Sequence, residues 1–281
     1  MGAWFATFLK ENGYRVMISD RNKQAARGIA RKRGFRLAAD QETAITSSQL
    51  VVLATPTLTT KRILEQILHV LSPGVLLIEI SSAKEPLRRI LQKHRKRGVS
   101  ILSIHPMFGP GAKTLRGRTV LVTAIPRRNI HASRIMLLFR KRGAKVIQCS
   151  ISEHDRLISV LLTLPHFVNM TMVNTLMNMG FDLDRLRRFS GTTFSLQLLI
   201  AEAIYQESPE NGTSILMDGG QSVKTLQEYV RHCNAALSTL RKGKRMRIIG
   251  DLHSGRSFLQ RDRKFAAAYS DFNAAVNAAV H

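Results

Sequence analysis

The segment LVVLATPTLTTKRILEQILHVLSPGVLLIEI, residues 50–80, decides the fold of this 281-residue chain. Residues 50–54 and 75–80 are short, almost wholly apolar runs, and residues 58–71 between them carry apolar side chains at helical spacing. Such runs are typical of strands buried on both faces of a parallel sheet, and a helix supplies the crossover that two parallel strands need. The segment therefore predicts a strand–helix–strand unit.

Strands and helices alternate on both sides of this segment. The sequence predicts helices at 2–12, 21–33, 86–97 and 130–142, and strands at 15–19, 100–104, 120–123 and 145–148. This alternation predicts an α/β domain over residues 1–150, with a doubly wound, Rossmann-like parallel sheet.

After residue 150 only the helical pattern continues, with predicted helices at 152–179, 182–189, 194–207 and 223–240 and a charged linker at 241–247. Residues 258–281 predict a last amphipathic helix, whose apolar stripe comprises Phe258, Phe265, Tyr269, Phe272 and Val276. We therefore expect an all-α domain over residues 151–281. Its long apolar helices suit either a homodimer interface or an intramolecular core.

The net charge of +24 makes nucleic-acid binding a function class to test. Three basic runs each end in a glycine: Arg31-Lys32-Arg33 at Gly34, Arg95-Lys96-Arg97 at Gly98, and Arg140-Lys141-Arg142 at Gly143. Cations in the last turn offset the helix dipole, and glycine supplies a left-handed C-terminal cap. The runs therefore indicate solvated helix ends, and we do not expect a nucleic-acid partner.

The cysteines and the apolar runs bear on where the protein acts. Cys149 and Cys233 are far apart and lie outside any CxxC spacing, so we expect neither a disulfide framework nor a metal site. The apolar runs, such as residues 49–55 and 74–80, are shorter than the roughly 18 residues that a membrane span needs. We expect a soluble cytoplasmic protein with no membrane partner.

The first residues match part of a dinucleotide-binding fingerprint. Gly2 can be the last glycine of a GxGxxG turn, because a helix, a turn at Gly13 and a strand ending at Asp20 follow it at the expected interval. Asp20 would accept hydrogen bonds from the adenosine ribose and favour NAD over NADP, while the adjacent Arg21 would weaken that preference. The usual first strand and first two glycines are absent. Two explanations compete: the start codon was chosen too late, which we favour, or the protein is shortened and binds its cofactor poorly.

Polar residues follow three predicted strands whose ends meet at one edge of such a sheet. They are Thr55-Pro56, Ser81-Ser82-Ala83-Lys84, and His105-Pro106-Met107-Phe108-Gly109-Pro110. A histidine held by a rigid turn after a buried strand can serve as a general base. The sequence therefore places a candidate active site at this edge, with an ordinary loop histidine as the alternative.

Three strings in this order resemble the prephenate dehydrogenase family, including its arogenate-using members. They are HPMFGP at 105–110, SSAK at 81–84 and LPHF at 164–167, and the resemblance extends from Gly2 to about Leu240. It implies an NAD-dependent oxidoreductase of tyrosine biosynthesis, with NADP open as the alternative cofactor. The reaction oxidises the ring hydroxyl of prephenate by hydride transfer with loss of the ring carboxylate, giving hydroxyphenylpyruvate, or tyrosine from arogenate.

The resemblance also implies residue roles. His105 would accept the hydroxyl proton, and Ser82 would hydrogen-bond the same hydroxyl or the nicotinamide side. His166 would help to bind substrate, although a core histidine is the alternative there. Activity should then fall below the pKa of His105, about 6.5 if unperturbed. We expect the cofactor-binding residues to be Gly2, Asp20, Arg21, Thr55, Pro56, Ser81 and Met107.

The chain departs from the family at Ala203, where members often carry an arginine for the dianionic substrate. Arg187, Arg188 and Lys84 are the replacement cations that we consider, with ordinary surface charge as the alternative for the two arginines. Two other functions remain open: a small-acid dehydrogenase of the β-hydroxyacid type, and a non-enzymatic regulator or nucleic-acid-binding protein. The first would need a catalytic lysine on the helix at 152–179, where none is present.

Overall fold

The computed structural model describes residues 1–69, 71–96, 100–126 and 129–280. Their contacts divide the chain into two compact units. Unit 1 comprises Met1–Ile158 and Thr213–Gly220, and unit 2 comprises Ser159–Gly212 and Gln221–His281. The chain therefore crosses between the units three times, whereas the sequence predicted one change of architecture, at residue 150.

Unit 1 is the α/β unit. Its strands are β1 (Met17–Ile18), β2 (Arg36–Leu37), β3 (Leu50–Leu53), β4 (Leu76–Glu79), β5 (Ser100–Pro106), β6 (Thr119–Ala124) and β7 (Lys145–Gln148). Its helices are α1 (Gly2–Glu11), α2 (Lys23–Arg33), α3 (Gln41–Thr46), α4 (Thr57–Ile67), α5 (Arg88–Lys96), α6 (Ile130–Lys141) and α7 (Ile151–Ile158), with a 3-10 turn at Glu85–Leu87. The pattern confirms the predicted Rossmann-like fold class; β2 and α3 are too short for hydrophobic periodicity to reveal.

The main sheet has the order β3-β4-β5-β6-β7, and β1 and β2 form a separate parallel pair. The predicted parallel sheet is confirmed with one exception, because β6 runs antiparallel to β5. The connection between these two strands, residues 107–118, contains no helix. Without a helical crossover the chain returns beside β5 in the opposite direction.

The central strands are buried on both faces, as their apolar sequences predicted. Leu76, Leu77, Leu102 and Ile104 are all fully buried. One face of the sheet packs against the aromatic side chains of α1 and α6, and the other packs against α4 and α5. Burying an aliphatic side chain of this kind stabilises the fold by about 1.5–3 kcal/mol. The sheet is thus a rigid platform for the residues that follow its strands.

Two of the basic runs occupy the positions that the sequence predicted. Arg31, Lys32 and Arg33 form the last turn of α2, which ends at Gly34 in the left-handed conformation with φ 65°. Arg140 and Lys141 end α6, and Gly143 follows with φ 84°. The third predicted cap, Gly98, and the preceding Arg97 lie outside the described residues.

Unit 2 is helical. Its helices are α8 (Leu164–Asn178), α9 (Leu183–Phe189), α10 (Thr192–Tyr205), α11 (Pro209–Met217, whose last turn belongs to unit 1), α12 (Ser222–Arg241), α13 (Arg245–Leu259) and α14 (Ala268–Val280). The predicted linker at 241–247 is wrong in part, because α13 begins at Arg245. The predicted last helix is also wrong in part, because Phe258 belongs to α13 and the final helix begins at Ala268.

The helix predicted at 152–179 contains a π-helical stretch, Ser159–Thr163, just before α8. Pro165 lies two residues after this stretch, in the first turn of α8, and it has no N–H to donate the backbone hydrogen bond of a continuous helix. The whole run Ile151–Asn178 is, by length and composition alone, apolar enough to cross a membrane. The expectation that every apolar run is too short for this was therefore wrong, although the run also carries His154 and Asp155, which are buried inside unit 1.

Candidate active site

His105 lies near the end of β5 and is 5% exposed. Its Nδ1 is 2.9 Å from Nε2 of His154, in helix α7. The other ring nitrogen of His154, Nδ1, is 2.6 Å from Oδ1 of Asp155. Two imidazoles and a carboxylate therefore form one buried hydrogen-bonded chain.

The carboxylate at the end of this chain also holds the loop after β4. Asp155 accepts the backbone N–H groups of Lys84 at 2.9 Å and of Glu85 at 2.8 Å. The start of α7 is thereby fixed to the same loop that carries Ser81 and Ser82. Asp155 thus holds the loop after β4 directly, and through His154 it is connected to His105 at the end of β5.

The chain determines which nitrogen of His105 is basic. An ionised Asp155 only accepts, so Nδ1 of His154 carries the proton and Nε2 of His154 is an acceptor. His105 must then donate through Nδ1, which leaves the lone pair of the neutral ring on Nε2. This tautomer is the one that a general base at Nε2 requires.

The same surroundings keep both histidines neutral. Burial holds the pKa of His105 well below its ordinary value, and the basic neighbours His154 and Lys84 disfavour its protonation further. Burial also lowers the pKa of His154, although its hydrogen bond to Asp155 opposes this effect. The structure therefore moves the expected acid limb of His105 to a pH below the unperturbed value of 6.5.

Lys84 does not reach the surface of unit 1. Its side chain and that of Glu79 are both fully buried, with Nζ 2.7 Å from Oε1 of Glu79. Lys84 Nζ also donates to the carbonyl of Ile104 at 2.7 Å. The ammonium is thus committed to β4 and to the residue before His105, an arrangement that does not favour the predicted role of Lys84 in substrate binding.

The two serines of the loop after β4 differ in environment. Ser81 is 3% exposed, and its N–H donates to Glu79 at 2.9 Å. Its Oγ is buried with no hydrogen-bond partner among the described residues. Ser82 is half-buried. An unmatched buried hydroxyl costs stability unless something pairs with it, so this loop suits a polar ligand.

The other predicted cofactor-binding residues of unit 1 follow strands or begin helix α1. Thr55 and Pro56 are half-buried after β3, and Met107 is half-buried after β5. Gly2 opens α1, where an added Cβ would lie 3.5 Å from Ala54, an ordinary contact. Asp20 and Arg21 are exposed after β1, and Asp20 accepts the N–H of Asn22.

Unit 2 contributes one buried imidazole. His166 is 8% exposed, its Nδ1 is 2.9 Å from the Leu162 carbonyl, and its Nε2 is buried without a hydrogen-bond partner in the described part of the chain. Arg187 forms an exposed ion pair with Glu202, and Arg188 is exposed. Ala203, the position of the missing arginine, is also exposed.

Sequence reasoning missed His154, Asp155 and Glu79. Glu79 had a signal, because it ends the otherwise apolar strand LLIE and a buried carboxylate needs a partner. His154 and Asp155 had none, because they sit in an amphipathic helical pattern that looks like an ordinary helix start. Only the packing of α7 inside unit 1 brings them to His105 and to the loop after β4.

Fold and site together define a chain with a Rossmann-like unit, a buried histidine at its strand ends and a helical unit. Residues 5–148 match the family model described as prephenate dehydrogenase, nucleotide-binding domain, and residues 150–253 match the one described as prephenate dehydrogenase, dimerization domain. The chain therefore belongs to the prephenate dehydrogenase family.

Individual relatives are distant. The chain is 24% identical over 273 residues to the "Probable arogenate/prephenate dehydrogenase" of Methanocaldococcus jannaschii, covering 96% of this chain and 61% of that protein. It is 23% identical to the T-protein of Haemophilus influenzae, covering 92% of this chain and 64% of that protein. The chain thus spans less than two thirds of the length of these curated relatives. The crystal structure of Aquifex aeolicus prephenate dehydrogenase has the same fold, with a TM-score of 0.72, 18% identity and coverage of 93% of this chain and 95% of that one.

Proposed function

We propose that this protein catalyses the NAD-dependent oxidative decarboxylation of prephenate or arogenate. The observation that carries the proposal is the buried chain His105–His154–Asp155, which makes Nε2 of a neutral His105 a base at the edge where three strands end. Family membership supports it, and the Aquifex aeolicus relative is described in complex with hydroxyphenyl propionate and NAD+.

The residues of unit 1 fit a nicotinamide cofactor. The unpartnered Oγ of Ser81 offers a hydrogen bond beside His105, and Thr55, Pro56 and Met107 follow neighbouring strands at the same edge. Asp20, after β1, would accept hydrogen bonds from the adenosine ribose, which favours NAD over NADP. When bound, the nicotinamide ring supplies a hydride acceptor.

The chain's own residues then supply the proton chemistry. Nε2 of His105 accepts the proton of the substrate ring hydroxyl as the hydride leaves the carbon that carries this hydroxyl. Ser82 hydrogen-bonds the same hydroxyl. The ring C–CO2 bond then breaks and carbon dioxide leaves. The electron pair of that bond completes the aromatic ring and makes the ring oxygen a phenolate, which takes the proton back from His105. His154 and Asp155 hold the imidazole and stabilise its positive charge once it is protonated.

Unit 2 supplies the remaining proposed parts. His166, with its unpartnered buried Nε2, binds substrate, and Arg187 and Arg188 are the candidate cations for its carboxylates. The match to the family's dimerization domain supports a homodimer through the helical unit. We also propose that the protein acts in the cytoplasm.

The test is NADH formation at 340 nm with prephenate or arogenate, using NAD+ and NADP+ in parallel. His105→Asn should lower kcat by about 10²–10⁴-fold, the usual contribution of a general base. His69→Asn, at an exposed histidine of unit 1, is the matched control and should leave kcat unchanged. Turnover that survives His105→Asn, or no turnover by the unmodified chain with either substrate, would contradict the proposal.

A further inference from the structure

Residues 213–220, which we term the return segment, lie within unit 1 although the chain on both sides of them belongs to unit 2. Ser214 and Ile215 are buried, at 6% and 5% exposed. At the other end of the segment, a Cβ added to Gly220 would lie 3.2 Å from Cγ of Glu85. The return segment therefore packs against the loop after β4 as well as against the residues that hold Ser214.

Ser214 caps a helix that has no cap of its own. Helix α4 begins after Pro56, which provides no side-chain hydrogen bond. The N–H of Thr57 instead donates to Oγ of Ser214 at 3.3 Å, and Ser214 Oγ donates to Oδ2 of Asp218 at 2.6 Å. The N–H groups in the first turn of a helix have no hydrogen-bond acceptor within the helix. The Ser214 hydroxyl accepts one of them, and the nearby Asp218 carboxylate interacts favourably with the positive end of the helix dipole.

Helix α4 in turn holds the loop after β3. Thr60, which is fully buried, donates from Oγ1 to the carbonyl of Thr55 at 3.0 Å. The hydroxyls of Thr55 and Thr60 are 2.8 Å apart. A displacement of the first turn of α4 would therefore displace Thr55 and Pro56.

Three other helices of unit 1 are capped locally. Asn22, Asp40 and Asn129 accept backbone N–H groups at the starts of α2, α3 and α6, each from the residue just before the helix. In contrast, Ser214 lies 157 positions from Thr57 in sequence. The position of the α4 start is thus set by a distant part of the chain.

We propose that Ser214, held by Asp218, is a positioning residue for cofactor binding, which acts through the start of α4 on Thr55 and Pro56. The proposal rests on the proposed function, since Thr55 and Pro56 are there assigned to the cofactor. It adds that the return segment sets the affinity for NAD+ without touching the cofactor or substrate.

The first measurement is the Kd for NAD+ of the full chain by isothermal titration calorimetry, without substrate. Ser214→Ala should raise this Kd about fivefold, the equivalent of one lost helix cap. Asp218→Asn, which keeps an acceptor for the hydroxyl, should raise it less. Asn129→Ala removes the local cap of α6 and is the matched control, with an equal loss of stability expected and no change in Kd.

The second measurement is backbone amide hydrogen exchange without cofactor. Ser214→Ala should speed exchange in residues 57–60, whereas Asn129→Ala should not. In steady-state assays Ser214→Ala should raise the KM for NAD+ and leave kcat at saturating NAD+ unchanged. Unaltered exchange at 57–60, or a Kd that changes no more than in Asn129→Ala, would overturn this proposal alone, whereas an unmodified chain that binds no NAD+ would overturn the proposed function as well.

Discussion

Two ion pairs, one in each unit, show how differently this chain uses charge. Glu79 and Lys84 are fully buried behind His105, and every polar atom of the pair that we describe is matched within unit 1. Arg187 and Glu202 lie on the surface of unit 2, at 51% and 38% exposed. A buried ion pair fixes the positions of its side chains, and the loss of one partner strongly destabilises the folded protein. An exposed pair contributes little to stability, and its arginine can exchange one partner for another.

The largest effect should come from breaking the buried pair. Lys84→Met leaves the Glu79 carboxylate buried without its cation, so the free energy of unfolding should fall by about 3–5 kcal/mol. Denaturant unfolding followed by circular dichroism measures this loss. The matched control is Glu79→Leu with Lys84→Met, which removes both charges and should recover much of the stability. An equal loss in the double variant would mean that packing, and not charge, fixes this region.

The next effect tests whether the buried histidine chain serves catalysis or folding alone. Asp155→Asn keeps the size of the side chain but removes the charge that fixes the His154 tautomer, and it weakens two backbone hydrogen bonds. Because charged hydrogen bonds contribute about 1.5–3 kcal/mol, we expect kcat to fall by roughly 10–100-fold. The KM for NAD+ should change little. If total activity fell only in proportion to the amount of folded protein, and kcat per folded molecule stayed normal, a positioning role would be contradicted.

The buried histidines should also make unit 1 sensitive to acid. Burial lowers the pKa values of His105 and His154 below the unfolded value of 6.5. In the window below 6.5 the unfolded chain therefore binds more protons than the folded chain, and stability falls as the pH falls. Thermal unfolding between pH 7 and pH 5 checks this, and His105→Asn should show a smaller loss. At the same time the acid fall of kcat/KM should begin only below pH 6.5, because burial holds the pKa of His105 in the folded protein below that of a free imidazole.

Much of the fold could be predicted from the sequence because hydrophobic pattern alone encodes it. The apolar runs at β3, β4 and β5 each became a buried strand, and glycines ended α2 and α6. The antiparallel β6 could not be predicted in the same way, because strand direction depends on what connects two strands and not on their apolar residues. Helix α13 was missed because Gly250 and Gly255 lower its helical propensity.

The site was predictable to the extent that its residues follow strands. His105 and the serines at 81–82 were expected at one sheet edge because parallel strands bring their ends together. The partners of His105 come from a helix 49 positions further along, and no local pattern marks them. Lys84 was expected to bind substrate because a lysine beside a catalytic loop looks available until its buried partner, Glu79, is known.

The smallest effect on stability, and the sharpest test of the comparison, concerns the exposed pair. Arg187→Ala should change the free energy of unfolding by less than about 1 kcal/mol, because solvent screens both charges. If Arg187 exchanges Glu202 for a substrate carboxylate, the same variant should raise the KM for prephenate several-fold without altering the KM for NAD+. Glu202→Gln is the matched control, since it frees the guanidinium and should lower or preserve the KM for prephenate. Equal KM values for prephenate in the unmodified chain, Arg187→Ala and Glu202→Gln would show that Arg187 does not bind substrate. Arg188 would then be the candidate for binding the substrate carboxylate, and Arg188→Ala tests it by the same assay.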